Sequence, residues 1–193
     1  MKTPKTIGIL FLLIFLASNS QAKNIMITPP NLKKGDTIAI VATARKNIDD
    51  NLKPAINLAK SWGLEIVIGK SIGLDNNQLA GTDEQRAADF QSMIDNPNIK
   101  AIWCVRGGYG TARMIDLVDF SKFEQDPKWI IGFSDVTVLH THLLNNYKIA
   151  SMHALMAGAF NENPSENTYI ISLKRALEGK KENYKTAGHS FNK

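Results

Sequence analysis

Hydrophobic positions along the chain switch repeatedly between two periods. Asp36 to Val41 (DTIAIV), Leu64 to Ile68 (LEIVI), Lys100 to Val105 (KAIWCV), Trp129 to Gly132 (WIIG) and Ile149 to Met152 (IASM) are short runs rich in β-branched or aromatic residues, with few polar interruptions. Such runs predict strands, and Asp36 to Val41, almost wholly apolar, suits one buried on both faces. Helical spacing fills the intervals. From about Asn51 to Trp62, residues Ala55, Leu58, Ala59 and Trp62 share one face, and Gly63 is a stop signal. Thr82-Asp83-Glu84-Gln85 reads as a capping box, in which the Thr hydroxyl and the Gln side chain satisfy free backbone donors. The helix it opens runs to about Asp95 and buries Ala87, Phe90, Met93 and Ile94. Further helices are predicted over Thr111 to Val118, Asp135 to Asn145 and Asn167 to Glu178, the last closed by Gly179. Strands alternating with helices at this spacing imply right-handed crossovers, hence an α/β fold: a parallel sheet of about five strands flanked by helices.

The N-terminus follows a different pattern. Lys2 and Lys5 precede the uncharged apolar run Ile7 to Ala17, and Ser20 and Ala22 are small residues suited to cleavage after Ala22. This is the layout of a signal peptide, and the run is shorter than the roughly 20 residues needed to span a bilayer. The expected organisation is therefore a signal peptide (1–22), one α/β domain (23–179) and a polar linker (180–193), in a periplasmic or secreted protein with no membrane attachment after cleavage. Removing two lysines takes the formal charge from +5 to +3, too mild a surplus to imply nucleic acid. The single Cys104 has no internal disulfide partner, and in an apolar strand it reads as inert core.

Ligands of such sheets bind beyond the carboxyl ends of the strands. Two glycine-containing turns fall there: Arg106-Gly107-Gly108-Tyr109-Gly110 after the third strand, and Gly132-Phe133-Ser134-Asp135 after the fourth. The second could be a nucleophile elbow, with the Ser134 hydroxyl exposed on a strand-to-helix turn and the next backbone N–H facing a developing oxyanion. Val136 stands where the hydrolase pattern has its second glycine, and Ser134 or Asp135 would serve equally as an N-cap. The first turn could bring backbone N–H groups to an anion, or use Arg106 to hold a carboxylate, or simply close a loop. A Ser nucleophile also needs a base. His140 and His142 lie on the following helix and are expected to point along it, His189 is in the tail, and His153 at the end of the fifth strand is the one positional candidate. The spacing offers no zinc site.

Three motifs in register carry a resemblance: Ala80-Gly81-Thr82-Asp83-Glu84-Gln85-Arg86-Ala87, then the RGGYG turn, then Gly132-Phe133-Ser134-Asp135-Val136-Thr137. Together they resemble the N-terminal half of the LD-carboxypeptidase family, serine peptidases that include the microcin C7 self-immunity protein. The resemblance implies a flavodoxin-like or class I glutamine amidotransferase-like sheet. It further implies Ser134 as nucleophile, and backbone N–H groups of Gly108 and Asp135 as the oxyanion hole. Arg106, Gly107 and Tyr109 would then contact substrate. The implied reaction releases the terminal D-alanine of a peptidoglycan tetrapeptide or muropeptide without metal or cofactor, in a homodimer. The family's His and Glu come from a second domain that these 193 residues are expected to lack. The chain is thus expected to be a truncated form, with a muropeptide-binding or inactive fragment as the alternative. His153-Ala154 also stands where the family often has His-Gly.

Overall fold

In the computed structural model, residues 25–47, 52–160, 164–184 and 188 are described. The proposed signal peptide and His189 lie outside them. Five strands, β1 (Thr37–Val41), β2 (Glu65–Ile68), β3 (Ile99–Cys104), β4 (Trp129–Gly132) and β5 (Met152–His153), form a parallel sheet in the order β2-β1-β3-β4-β5. The order reverses between β1 and β3, which opens a crevice beyond their carboxyl ends.

Alternation along each strand divides the core in two. Ile38, Ile40, Trp103 and Ile131 face one side, where they pack with Ala55, Leu58 and Ala59 of α1 (Lys53–Ser61) and with Ile170, Leu173 and Leu177 of α6 (Thr168–Leu177). Ala39, Val41, Ile102, Cys104 and Ile130 face the other. There they meet Ala87, Phe90, Met93 and Ile94 of α2 (Asp83–Ile94), Met114 of α3 (Thr111–Met114), Phe123 of α4 (Ser121–Gln125) and Leu139 of α5 (Thr137–His142). The result is three layers, helix on sheet on helix, as the doubly apolar strands require.

The predicted capping box is present: Gln85 N–H donates to Thr82 Oγ1 (3.3 Å) and Thr82 N–H to Gln85 Oε1 (2.8 Å). Three boundaries differ from the periodic reading. The helix from Thr111 tightens to a 3-10 turn at Ile115–Leu117, after which Asp119 starts the short α4 by accepting from Ser121 N–H (2.9 Å). The helix after β4 runs on as a π turn, Leu143–Tyr147, and closes at Lys148 in a left-handed conformation (φ 57°). Ile149 pairs instead with Ile27 at the sheet margin, so β5 begins at Met152 rather than Ile149. Among the described residues no helix is long and apolar enough to cross a membrane.

Candidate active site

β4 ends at Gly132 and the chain turns at once into a 3-10 segment, Ser134–Val136. Ser134 is exposed and sits at φ 57°, the left-handed region that costs a residue with a Cβ about 1–2 kcal/mol. Gly132 makes the turn possible, because a Cβ there would stand 2.8 Å from both methyl carbons of Val136. The valine that breaks the two-glycine hydrolase pattern therefore occupies the space that the first glycine vacates. The capping alternative is not what forms: no side chain caps this segment, and the Asp135 carboxylate accepts instead from Thr111 N–H (3.0 Å), tying the elbow to the start of α3.

That bond draws the RGGYG turn against the elbow. A Cβ on Gly107 would lie 3.4 Å from Ser134 Cβ and 3.5 Å from the Asp135 nitrogen, ordinary contact distances that place this backbone directly beside the elbow. Gly108 adopts φ 150°, and its Cβ position is taken by Arg45 Cγ at 2.9 Å. The loop after β1 also donates Arg45 N–H to the Gly107 carbonyl (3.3 Å). The N–H groups of Gly108 and Asp135 find no acceptor among the described residues. Tyr109 is half exposed, its hydroxyl accepting from Gln78, and the half-buried Arg106 makes no ion pair with a described residue. The turns thus bring together an exposed hydroxyl, backbone donors and a guanidinium, the donors without an acceptor and the guanidinium without an ion-pair partner among the described residues. Such a set can stabilise an oxyanion and hold a carboxylate.

The histidines arrange differently from expectation. His140 does not run along its helix but turns back, its Nε2 3.0 Å from the Gly132 carbonyl. Burial pushes its pKa below the ordinary imidazole value; the Gly132 hydrogen bond opposes that shift, and neighbouring His153 adds to it. His142 contacts Asn146 (3.2 Å) and the Phe120 ring. His153 is exposed, 6.2 Å from the Phe133 ring and 6.0 Å from the His140 ring between centroids. Among the described residues, no histidine is hydrogen-bonded to the Ser134 hydroxyl. Phe133 and His153 border a largely apolar cavity of about 510 Å³, closed by Leu155, Tyr169, Leu173 and Tyr184. Cys104 is fully buried and its thiol is pushed up to about 12, which leaves it unreactive. No three metal-ligating side chains converge among the described residues.

Sequence reading missed the buried base of the site. Arg86 of α2 is fully buried and donates to three loop carbonyls. The signal was present in the AGTDEQRA motif, but a charged residue on an amphipathic helix reads as solvent-facing. Asp89, one turn further on, is also buried and accepts from Lys70 N–H and Ser71 N–H (both 2.8 Å), fixing the loop after β2.

Comparisons with known proteins bear on the family and the fold. The family described as LD-carboxypeptidase N-terminal domain matches residues 38–154. A probable murein peptide carboxypeptidase of Bacillus subtilis (strain 168) is 35% identical over 128 residues, covering 66% of this chain and 40% of the relative. The crystal structure of muramoyltetrapeptide carboxypeptidase from Oxalobacter formigenes superposes with a TM-score of 0.63 at 27% identity, over 72% of this chain and 47% of that one. The microcin C7 self-immunity protein MccF, in complex with aspartyl sulfamoyl adenosine, reaches a TM-score of 0.72 at 21% identity, over 82% and 48% of the two chains, a likeness of fold. The chain spans less than half the length of each. With the family matched over more than half of the chain, from β1 through the elbow to β5, this protein belongs to the LD-carboxypeptidase N-terminal domain family.

Proposed function

We propose that the chain carries the nucleophile half of a serine-type LD-carboxypeptidase that removes the terminal D-alanine from peptidoglycan tetrapeptide stems. The observation that carries this reading is the strained, exposed Ser134 at φ 57°, set against a turn with unused N–H groups. In the reaction, Ser134 Oγ loses its proton to a base and attacks the carbonyl between the L-centre of the diamino acid and D-alanine. The oxyanion accepts hydrogen bonds from the N–H groups of Asp135 and Gly108. The C–N bond then breaks, the D-alanine amine takes up the proton, and water hydrolyses the acyl ester. Arg106 pairs with the terminal carboxylate, with Gly107 and Tyr109 beside it. The base and its orienting acid come from the part of such proteins that this chain does not match. The basic, apolar N-terminal stretch directs the chain to the periplasm, where the substrate is cell-wall peptide, and the working form is a homodimer.

The experiment is D-alanine release from a disaccharide tetrapeptide by the chain joined to the unmatched second half of the Bacillus subtilis relative, with and without Ser134→Ala, beside calorimetric titration of the same peptide. Release that Ser134→Ala abolishes supports the hydrolase; absence of both release and binding contradicts it. A second reading, a muropeptide-binding or inactive fragment, is favoured by one observation: no described histidine bonds to Ser134. Binding with no release, unchanged by Ser134→Ala, would establish it.

A further inference from the structure

Behind the elbow runs a hydrogen-bonded path that the reaction itself does not use. Arg86 donates Nε to the Thr43 carbonyl (3.1 Å), Nη1 to the Gly81 carbonyl (2.7 Å) and Nη2 to the Gly110 carbonyl (3.4 Å), and Nη2 also pairs with Asp83. The buried Thr43 hydroxyl meets Thr111 Oγ1 at 3.0 Å, and Thr111 N–H reaches the Asp135 carboxylate at 3.0 Å. One guanidinium thus binds the loop after β1, the loop before α2 and the RGGYG turn, and two more bonds carry that frame to the residue after Ser134.

The chemistry of this arrangement is specific. Burying a cation costs several kcal/mol unless its donors are filled. Here the counter-charge, Asp83, is shared with the exposed Arg113 (2.8 Å), and the remaining donors go to backbone carbonyls. A planar fork can hold three carbonyls at fixed directions; an ammonium of equal charge cannot. We propose that Arg86 is a positioning residue for the oxyanion site: it fixes the spacing between the RGGYG turn and the elbow, and touches no reacting atom. The catalytic consequence rests on the assignment of Ser134 as nucleophile, whereas the clamp does not.

Arg86→Lys and Thr111→Val, made separately in the whole chain, test this with two readouts. One is amide hydrogen exchange at Thr111, compared with Ile102 and Ile130 in the sheet. The other is covalent capture of Ser134 by an alkyl fluorophosphonate at alkaline pH: hydroxide takes the hydroxyl proton in place of the base assigned to the unmatched part, Oγ bonds to phosphorus and fluoride leaves. In the folded variants the amide at position 111, corrected for the intrinsic rate of the residue there, is expected to exchange about tenfold faster while the sheet amides stay within about twofold. Capture is expected to slow about 10- to 100-fold in its limiting rate, with little change in half-saturating concentration. If Arg86→Lys does not fold, Thr111→Val, which leaves the Arg86 hydrogen bonds in place and cuts the Thr43–Thr111 link, decides whether the frame reaches the oxyanion site. Thr111 exchange and Ser134 capture both unchanged in a folded variant, or Thr111 exchange rising only in step with the sheet, overturns the clamp. Wild-type protein that is never captured removes the nucleophile assignment, and Thr111 exchange still decides the role of Arg86.

Discussion

A left-handed serine is a conformational cost that the surrounding turn imposes, and it can be measured apart from any chemistry. Ser134→Gly and Ser134→Ala both delete the hydroxyl, but only glycine relaxes φ 57°. The glycine variant is expected to be the more stable by about 1 kcal/mol, roughly 2–4 °C in Tm for a chain of this size. Equal stabilities in thermal unfolding would mean the elbow is unstrained. Nothing in GFSDVT reveals that strain, because serine tolerates both an N-cap and an elbow; the resemblance pointed to Ser134 as nucleophile, and the strain is visible only in the backbone dihedral. His140 makes a second residue-scale case. Its pKa is lowered in the fold, so as pH falls below the ordinary 6.5 the unfolded chain binds the proton first. The His140 contribution should therefore be intact above that value and decline through the window down to its lowered folded pKa. Tm measured from about pH 8 to about pH 5 should fall less steeply in His140→Gln than in the wild type. Parallel profiles would remove this histidine from the acid response.

At the scale of elements, strands and long helices were legible because burial on two faces, or on one stripe, leaves an unmistakable period. The Thr82 box fixed the start of α2 and the Gly179 stop the end of α6 to within about a residue, since one signal is a local side-chain-to-backbone bond and the other a left-handed glycine. The short α4 and the π turn at Leu143–Tyr147 were not legible: neither is long enough for periodicity, and both answer to tertiary packing. The turn joining β4 to α5 shows how one element constrains the next. Gly132→Ala places a methyl against Val136, and should cost about 1–3 kcal/mol as overpacking in a buried site. Chemical denaturation of Gly132→Ala and of the double variant Gly132→Ala/Val136→Ala checks this. The second change is expected to recover part of the loss, and a fully additive pair would show that the two side chains do not compete for one space.

For the whole molecule, the sheet order β2-β1-β3-β4-β5 brings the loops after β1, β3 and β4 to one rim. The order of elements predicted a parallel sheet, but which loops meet depends on the reversal between β1 and β3, which no local pattern encodes. Arg86 belongs to this scale: its partners Thr43, Gly81 and Gly110 are far from one another in sequence and meet only in the folded chain. The same rim holds Arg106, the RGGYG turn and the elbow beside an apolar cavity, a layout able to seat a peptide terminus next to a hydroxyl. Catalysis by Ser134 at this rim is the central claim, and covalent mapping tests it most directly. After treatment of the chain with an alkyl fluorophosphonate at alkaline pH, where hydroxide replaces the base assigned to the unmatched part, peptide mass spectrometry should find the adduct on Ser134 alone, suppressed by excess tetrapeptide and absent in Ser134→Ala; an adduct on another residue, or one that persists in Ser134→Ala, would contradict it.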